Sequence, residues 1–251
     1  MNSQNTRRAF IRASATIGTG IFLSACGRSD SAQAGKPTGE SGSQKDEKEG
    51  GGEVTATEDL MREHGVLRRA LLVYTAAANK LRANPASVPP DALQKTAGLF
   101  RTFGEDYHEK KLEEPYIFPA VKKAGGPAAS YPDILVVQHD RGREITDYIL
   151  SVTRGAKLGA ANAEPLARAM ESLVLMYQNH AAREDTIIFP AWKRTLPEKE
   201  LDEMGEKFEE IEHQQFGEDG FDNVVKQIGE IEGMLGLTDI SLFTAPPPPR
   251  A

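Results

Sequence analysis

The chain has 251 residues, a formal net charge of −7 and a single cysteine. That length holds one domain of ordinary size plus extensions, and one Cys excludes an internal disulfide. Acids and bases are interspersed with no basic stripe, which argues against nucleic acid as a partner. Ala, Leu, Glu and Lys dominate residues 57–235 while strand-type runs are scarce, so the fold class predicted is all-α.

The N-terminus reads NTRRAFIRASATIGTGIFLSACG. A charged start, an apolar stretch over 13–25 and a small-residue end follow the order of an export signal, predicted over 1–25. The apolar stretch is too short and too rich in Ser, Thr and Gly to span a membrane. Arg7-Arg8 followed by Phe10 resembles a twin-arginine signal. The other reading is a coincidental Arg pair in a general secretory signal. LSAC resembles the lipobox of bacterial lipoproteins, which makes Cys26 the lipidated first residue of the mature chain. The implied location is a membrane surface facing the periplasm or cell exterior, reached by the lipid. Loss of three arginines and no acids with 1–25 leaves 27 − 37 = −10, too acidic for attachment by a basic patch. Residues 26–54 are Gly, Ser, Lys and Glu with almost nothing apolar, the composition of a flexible tether.

Six helical segments follow. In the first, Leu60, His64, Leu67, Leu71 and Tyr74 recur at 4, 3, 4 and 3, with Thr57 as the expected N-cap and a stop near Asn84-Pro85. The second runs from about Pro90 to Lys123 and contains Pro115, which lacks an amide proton and loosens or kinks a helix locally. The third begins after Tyr131-Pro132, and the fourth runs from about Glu164 to Lys193. Short connections predict an up-down-up-down four-helix bundle over 55–195. Two further helices within 196–236, broken at Gly217, pack outside it or on the first helix. The Pro-rich 237–251 is a tail.

Four of the five histidines fall one per helix on the inward face: His64, His108, His139 and His180. A lone imidazole on an apolar stripe is usually a satisfied core residue, but four in consecutive helices point to a metal. His180 and Glu184, four apart, leave one helix face together. Glu113 takes the matching place in the second helix, because Glu113 and Glu184 each precede a Phe-Pro-Ala by five residues. The other reading of Glu113 is a solvated acid in the run EKKLEE. Imidazole and carboxylate donors suit iron, manganese or zinc. His213, in an acid-rich stretch, reads as a surface residue, and Tyr107, Tyr148 and Tyr177 as packing or supporting donors.

REHGVLRR, YHEKKLEEPYIFP, QHDRGRE and NHAAREDTIIFP together resemble the motifs of hemerythrin-like, HHE cation-binding domains, over roughly 55–195. The resemblance implies a four-helix bundle with an oxo- and carboxylate-bridged di-iron centre. It also implies that the His-x3-acid spacing of His180-Glu184 and the His-x4-acid spacing of His108-Glu113 both have precedent. Oxygen carriers of that family place two histidines four apart on the third helix. Here His139 has Leu135 before it and Arg143 after it. Some relatives with such a deficit use the acid beside the second-helix His, which makes Glu109 a candidate ligand and Asp140 a weaker one. The implied ligands are dioxygen, nitric oxide or a peroxide. A peroxidase or nitric oxide-consuming enzyme and an iron-handling protein are the alternatives.

Overall fold

In a computed structural model, residues 54–155 and 157–249 are described, and they are helical without a strand. The expected export signal, Cys26 and the tether lie almost wholly outside the described residues. Among the described residues no helix is long and apolar enough to cross a membrane.

Helix α1 is Ala56–Ala83. Its N-cap is Thr55 rather than the expected Thr57, with the Glu58 amide donating to the Thr55 hydroxyl at 3.3 Å. Glu58 stands three residues on, so Thr55 is the hydroxyl in capping register. Leu60, His64, Leu67, Leu71 and Tyr74 are all buried along the predicted stripe. Asn84 ends the helix, and Pro85 begins a short 3-10 turn.

The second rod is one continuous run of three parts: α2 (Pro90–Leu99), the π-helical π1 (Phe100–Ile117) and α3 (Phe118–Ala124). The rod runs through Pro115 without a break, in wider turns. A proline in an α-helix crowds the carbonyl four residues back; a wider turn relieves that crowding. The register has shifted by the end of π1, where the Phe118 amide bonds to the Glu113 carbonyl, five residues back. Gly125 and Gly126, at φ of 73° and 75°, close the rod.

Helix α4 spans Pro132–Val152 and α5 spans Ala160–Arg183, four residues ahead of the expected start at Glu164. The fourth rod repeats the second in miniature: α5 passes into π2 (Glu184–Ile188) and then α6 (Phe189–Lys193), and the Phe189 amide again reaches five residues back, to Glu184. Both widened turns sit at an acid followed by Phe-Pro.

The rods touch in a ring, α1 on π1, π1 on α4, α4 on α5 and α5 back on α1. Gly142 of α4 leaves room for the Tyr177 side chain of α5, since an added Cβ would overlap the Tyr177 hydroxyl. Helices α7 (Glu198–Phe216) and α8 (Gly220–Leu235) cover the outside, α8 lying on α1 and α2 and α7 on α1 and π1. Phe221, Val224, Ile228, Ile231 and Leu235 bury the inner stripe of α8, and Arg69 of α1 holds Glu232 through two bonds of 2.8 and 2.6 Å. His213 is exposed on α7, as expected.

Glu105 is a buried acid in the core beside these rods. It accepts from the Thr146 hydroxyl at 2.5 Å and lies 2.7 Å from Arg101 Nε. Burial pushes its carboxyl up to about 7, against the pull of Thr146 and Arg101. An acid whose folded pKa is raised stabilises the fold below its ordinary value, and that contribution is lost as pH climbs through the folded value. In thermal melts, Glu105→Gln should therefore gain on the wild type as pH rises from 4.5 to about 7. A pH-independent difference between the two would remove Glu105 as the cause.

Candidate metal centre

The ring of rods brings the four predicted histidines to one point. His64 and His108 meet with Nε2 atoms 3.0 Å apart, and His139 and His180 meet in the same way at 3.0 Å. All four are buried. Glu113 and Glu184 join the two pairs. Glu113 sets one oxygen 3.3 Å from His108 Nε2 and the other 3.3 Å from His139 Nε2. Glu184 sets one oxygen 2.9 Å from His180 Nε2 and the other 3.5 Å from His64 Nε2. Each carboxylate therefore faces both histidine pairs.

The unequal sequence spacings are accounted for by helix type. On α5, with 3.6 residues per turn, His180 and Glu184 four apart stand on one face. In π1, hydrogen bonds run i→i+5, so His108 and Glu113 five apart stand on one face. The extra residue in the second motif is absorbed by the wider turn.

Behind each imidazole an acceptor takes the Nδ1–H. The partners are Asp185 for His64 at 2.6 Å and Glu63 for His108 at 2.6 Å. Glu114 serves His139 at 3.0 Å, and Gln138 serves His180 at 2.9 Å. These bonds fix the tautomer that leaves every Nε2 lone pair pointing inward. They also form a closed ring: α1 holds π1 through Glu63, π1 holds α4 through Glu114, α4 holds α5 through Gln138, and the α5–π2 rod holds α1 through Asp185. The sequence reading missed all four. Their signal was adjacency, since each is the chain neighbour of one proposed ligand and supports a ligand on a different rod. Further bonds hold the acceptors themselves, from Tyr107 to Glu63, Arg68 to Asp185 and Arg143 to Glu114.

Glu109 is not brought to the Nε2 cluster. One residue past His108 the helix has turned toward α4, and the carboxylate accepts from Tyr177 at 2.7 Å and from Arg143 at 3.0 Å. Its approach to His139 is to the outer Nδ1, at 3.9 Å. Arg143, one turn beyond His139, thus takes the side on which a further imidazole was missed. Asp140 points away, exposed and paired with Arg143. Of the three tyrosines, Tyr107 and Tyr177 both donate to acids beside the cluster.

The cluster fits a cation. Among the described residues no hydrogen bond reaches any of the four oxygens of Glu113 and Glu184, and all four are buried. Two lone pairs aimed at each other across 3.0 Å repel unless a positive charge lies between them. With metal–nitrogen bonds of ~2.0–2.1 Å, two nitrogens at that separation subtend roughly a right angle, as two donors on one ion do. Charge tells the same story. Burial alone pushes the Glu113 carboxyl up, but the His108 and His139 imidazoles outweigh it and hold it well below the usual range. Burial lowers His139, yet Glu109, Glu113 and Glu114 together raise it to about 10. The pocket draws positive charge, and absent a metal it draws protons.

An all-helical protein with a buried cluster of four histidines and two shared carboxylates belongs to the class of helical cation-binding proteins. Residues 55–192 match the hemerythrin HHE cation binding domain, and the chain belongs to that family. Uncharacterised proteins of Mycobacterium bovis and of two Mycobacterium tuberculosis strains are 45% identical over 195 residues, covering 76% of this chain and 74% of each relative. No solved structure matches the chain.

Supporting bonds of this kind are worth about 10–100-fold in metal affinity. Glu63→Ala should lower affinity by that factor in competition with a chelator, while the circular dichroism spectrum stays helical. Unchanged affinity would mean that the ring of acceptors does not orient the donors.

Proposed function

We propose that the protein is a dinuclear iron protein that binds dioxygen, nitric oxide or a peroxide. The observation that carries this is the pairing: two histidine pairs, with two buried carboxylates that each face both. His64 and His108 would hold one metal, His139 and His180 the other, and Glu113 and Glu184 would bridge them, in an up-down-up-down bundle of the four rods. Nitrogen and carboxylate donors without thiolate suit iron. Iron so held supplies redox change and an open coordination position for a small ligand.

The rest is the work of the protein. Glu63, Glu114, Gln138 and Asp185 orient the imidazoles through Nδ1. Glu109, held by Tyr177 and Arg143, would stay off the metals, and the centre would then have one fewer donor than an oxygen carrier has. Complete burial of the ligands favours a retained centre over iron storage, since exchange would require the bundle to open. The route to the membrane remains that proposed from the N-terminus: twin-arginine export, with lipid attached at Cys26.

Elemental analysis of the purified chain should give two irons, reduced in Glu113→Ala and His139→Ala. Zinc alone, or no metal, would overturn the dinuclear iron reading. Separately, Cys26→Ser should move the protein from the membrane to the soluble fraction. A variant that stays with the membrane would rule out the lipid anchor.

A further inference from the structure

A cavity of about 10 Å³ lies against the cluster between α1 and α5, roughly the room needed by one water-sized molecule. Leu67 and Leu71 of α1, Tyr177 and Ala181 of α5 and Glu109 of π1 wall it, and the cluster without His139 forms its floor. These side chains are all buried, with Leu67 and Ala181 the least so at 6% exposed. Arg68 is the exception. It lines the same cavity, yet its side chain is 43% exposed. A residue that belongs both to the cavity wall and to the surface marks where the two meet.

The guanidinium is tied at that mouth by Asp185, whose second oxygen takes the Nδ1–H of His64 at 2.6 Å. The residue that closes the cavity is thus fastened to the same carboxylate that orients a metal donor.

We propose that Arg68 is the door of the metal centre and determines what reaches it. This deepens the dinuclear reading and rests on it. The tied Arg68–Asp185 pair has no net charge, and behind it Leu67, Leu71 and Ala181 stand beside the Tyr177 ring and a Glu109 already paired to Tyr177 and Arg143, so the passage favours uncharged molecules of two or three atoms. A hydrated anion or a chelator would have to shed its water against Leu67, Leu71 and Ala181, with no hydrogen bonds in return. A partly exposed ion pair contributes little to stability, and an exposed side chain changes rotamer within picoseconds to nanoseconds. The door therefore opens by rotation of one arginine, without separation of α1 from α5.

The test compares Arg68→Ala and Arg68→Met with Arg69→Ala. The Met variant keeps the aliphatic bulk but loses the tie. Arg69 is the neighbouring cation, turned away to Glu232. In metal-free full-length protein, deuterium labelling at the imidazole C2 carbon of His64, His108 and His180, which proceeds from the protonated ring and needs only water to enter, is read by peptide mass spectrometry against exposed His213. Arg68→Ala should speed cluster labelling by about tenfold or more, within the one to three decades over which association rates vary among variants of one site. Arg68→Met should fall between it and the wild type, and Arg69→Ala should match the wild type. In iron-loaded protein, nitric oxide association should accelerate in the same order at unchanged iron content. Wild-type labelling rates in both Arg68 variants, or equal acceleration in Arg69→Ala, would overturn the door. If the chain binds no metal, the dinuclear reading fails, and labelling of the metal-free protein still decides the door.

Discussion

Four imidazoles and two carboxylates share one buried interior point, and each needs its inward lone pairs answered by positive charge. Nearly every feature of the bundle follows from holding them there. Nε2 atoms at 3.0 Å are tolerable only around a cation, and their directions are held by the four Nδ1–H bonds to Asp185, Glu63, Glu114 and Gln138. Because those bonds run from each rod to the next and close on themselves, the four acceptors also tie the rods together. Moving one rod would turn the imidazole on another. The geometry of the centre and the geometry of the fold are therefore one constraint.

Helix type serves the same end. A regular α-helix would set His108 and Glu113 at different angles, since five residues overrun one turn of 3.6. The widened π1 brings them onto one face, with His108 Nε2 and a Glu113 oxygen 3.3 Å apart. Pro115 disfavours the α form by crowding the carbonyl four residues back. π-helical turns are rare and gather at functional sites; in this chain both lie where a carboxylate must enter the cluster.

The environment of the missing imidazole is also built rather than vacant. Arg143 and Tyr177 take both oxygens of Glu109, and Gly142 leaves the space in which the Tyr177 hydroxyl lies. A buried acid beside a metal cluster would be a natural ligand if free to turn. Here a cation and a phenol compete for it, and geometry favours them because Glu109 leaves the helix on the side of α4.

The all-helical class, the helix limits to within a few residues, and one inward histidine per rod were legible in the sequence. Each depends on local rules: apolar period, Pro and Gly stops, and side-chain direction along one helix. The register of Glu113 against Glu184 was legible for the same reason, since both are counted from a Phe-Pro-Ala on their own rod. Which histidine pairs with which, and what stands behind each Nδ1, was not. Glu63 looks like the neighbour of His64 but supports His108, and Gln138 looks like the neighbour of His139 but supports His180. One residue along a helix is a turn of about 100°, enough to send a side chain to the adjacent rod. Only the tertiary structure decides which rod that is, because only packing brings the donor of one helix within reach of the acceptor on the next.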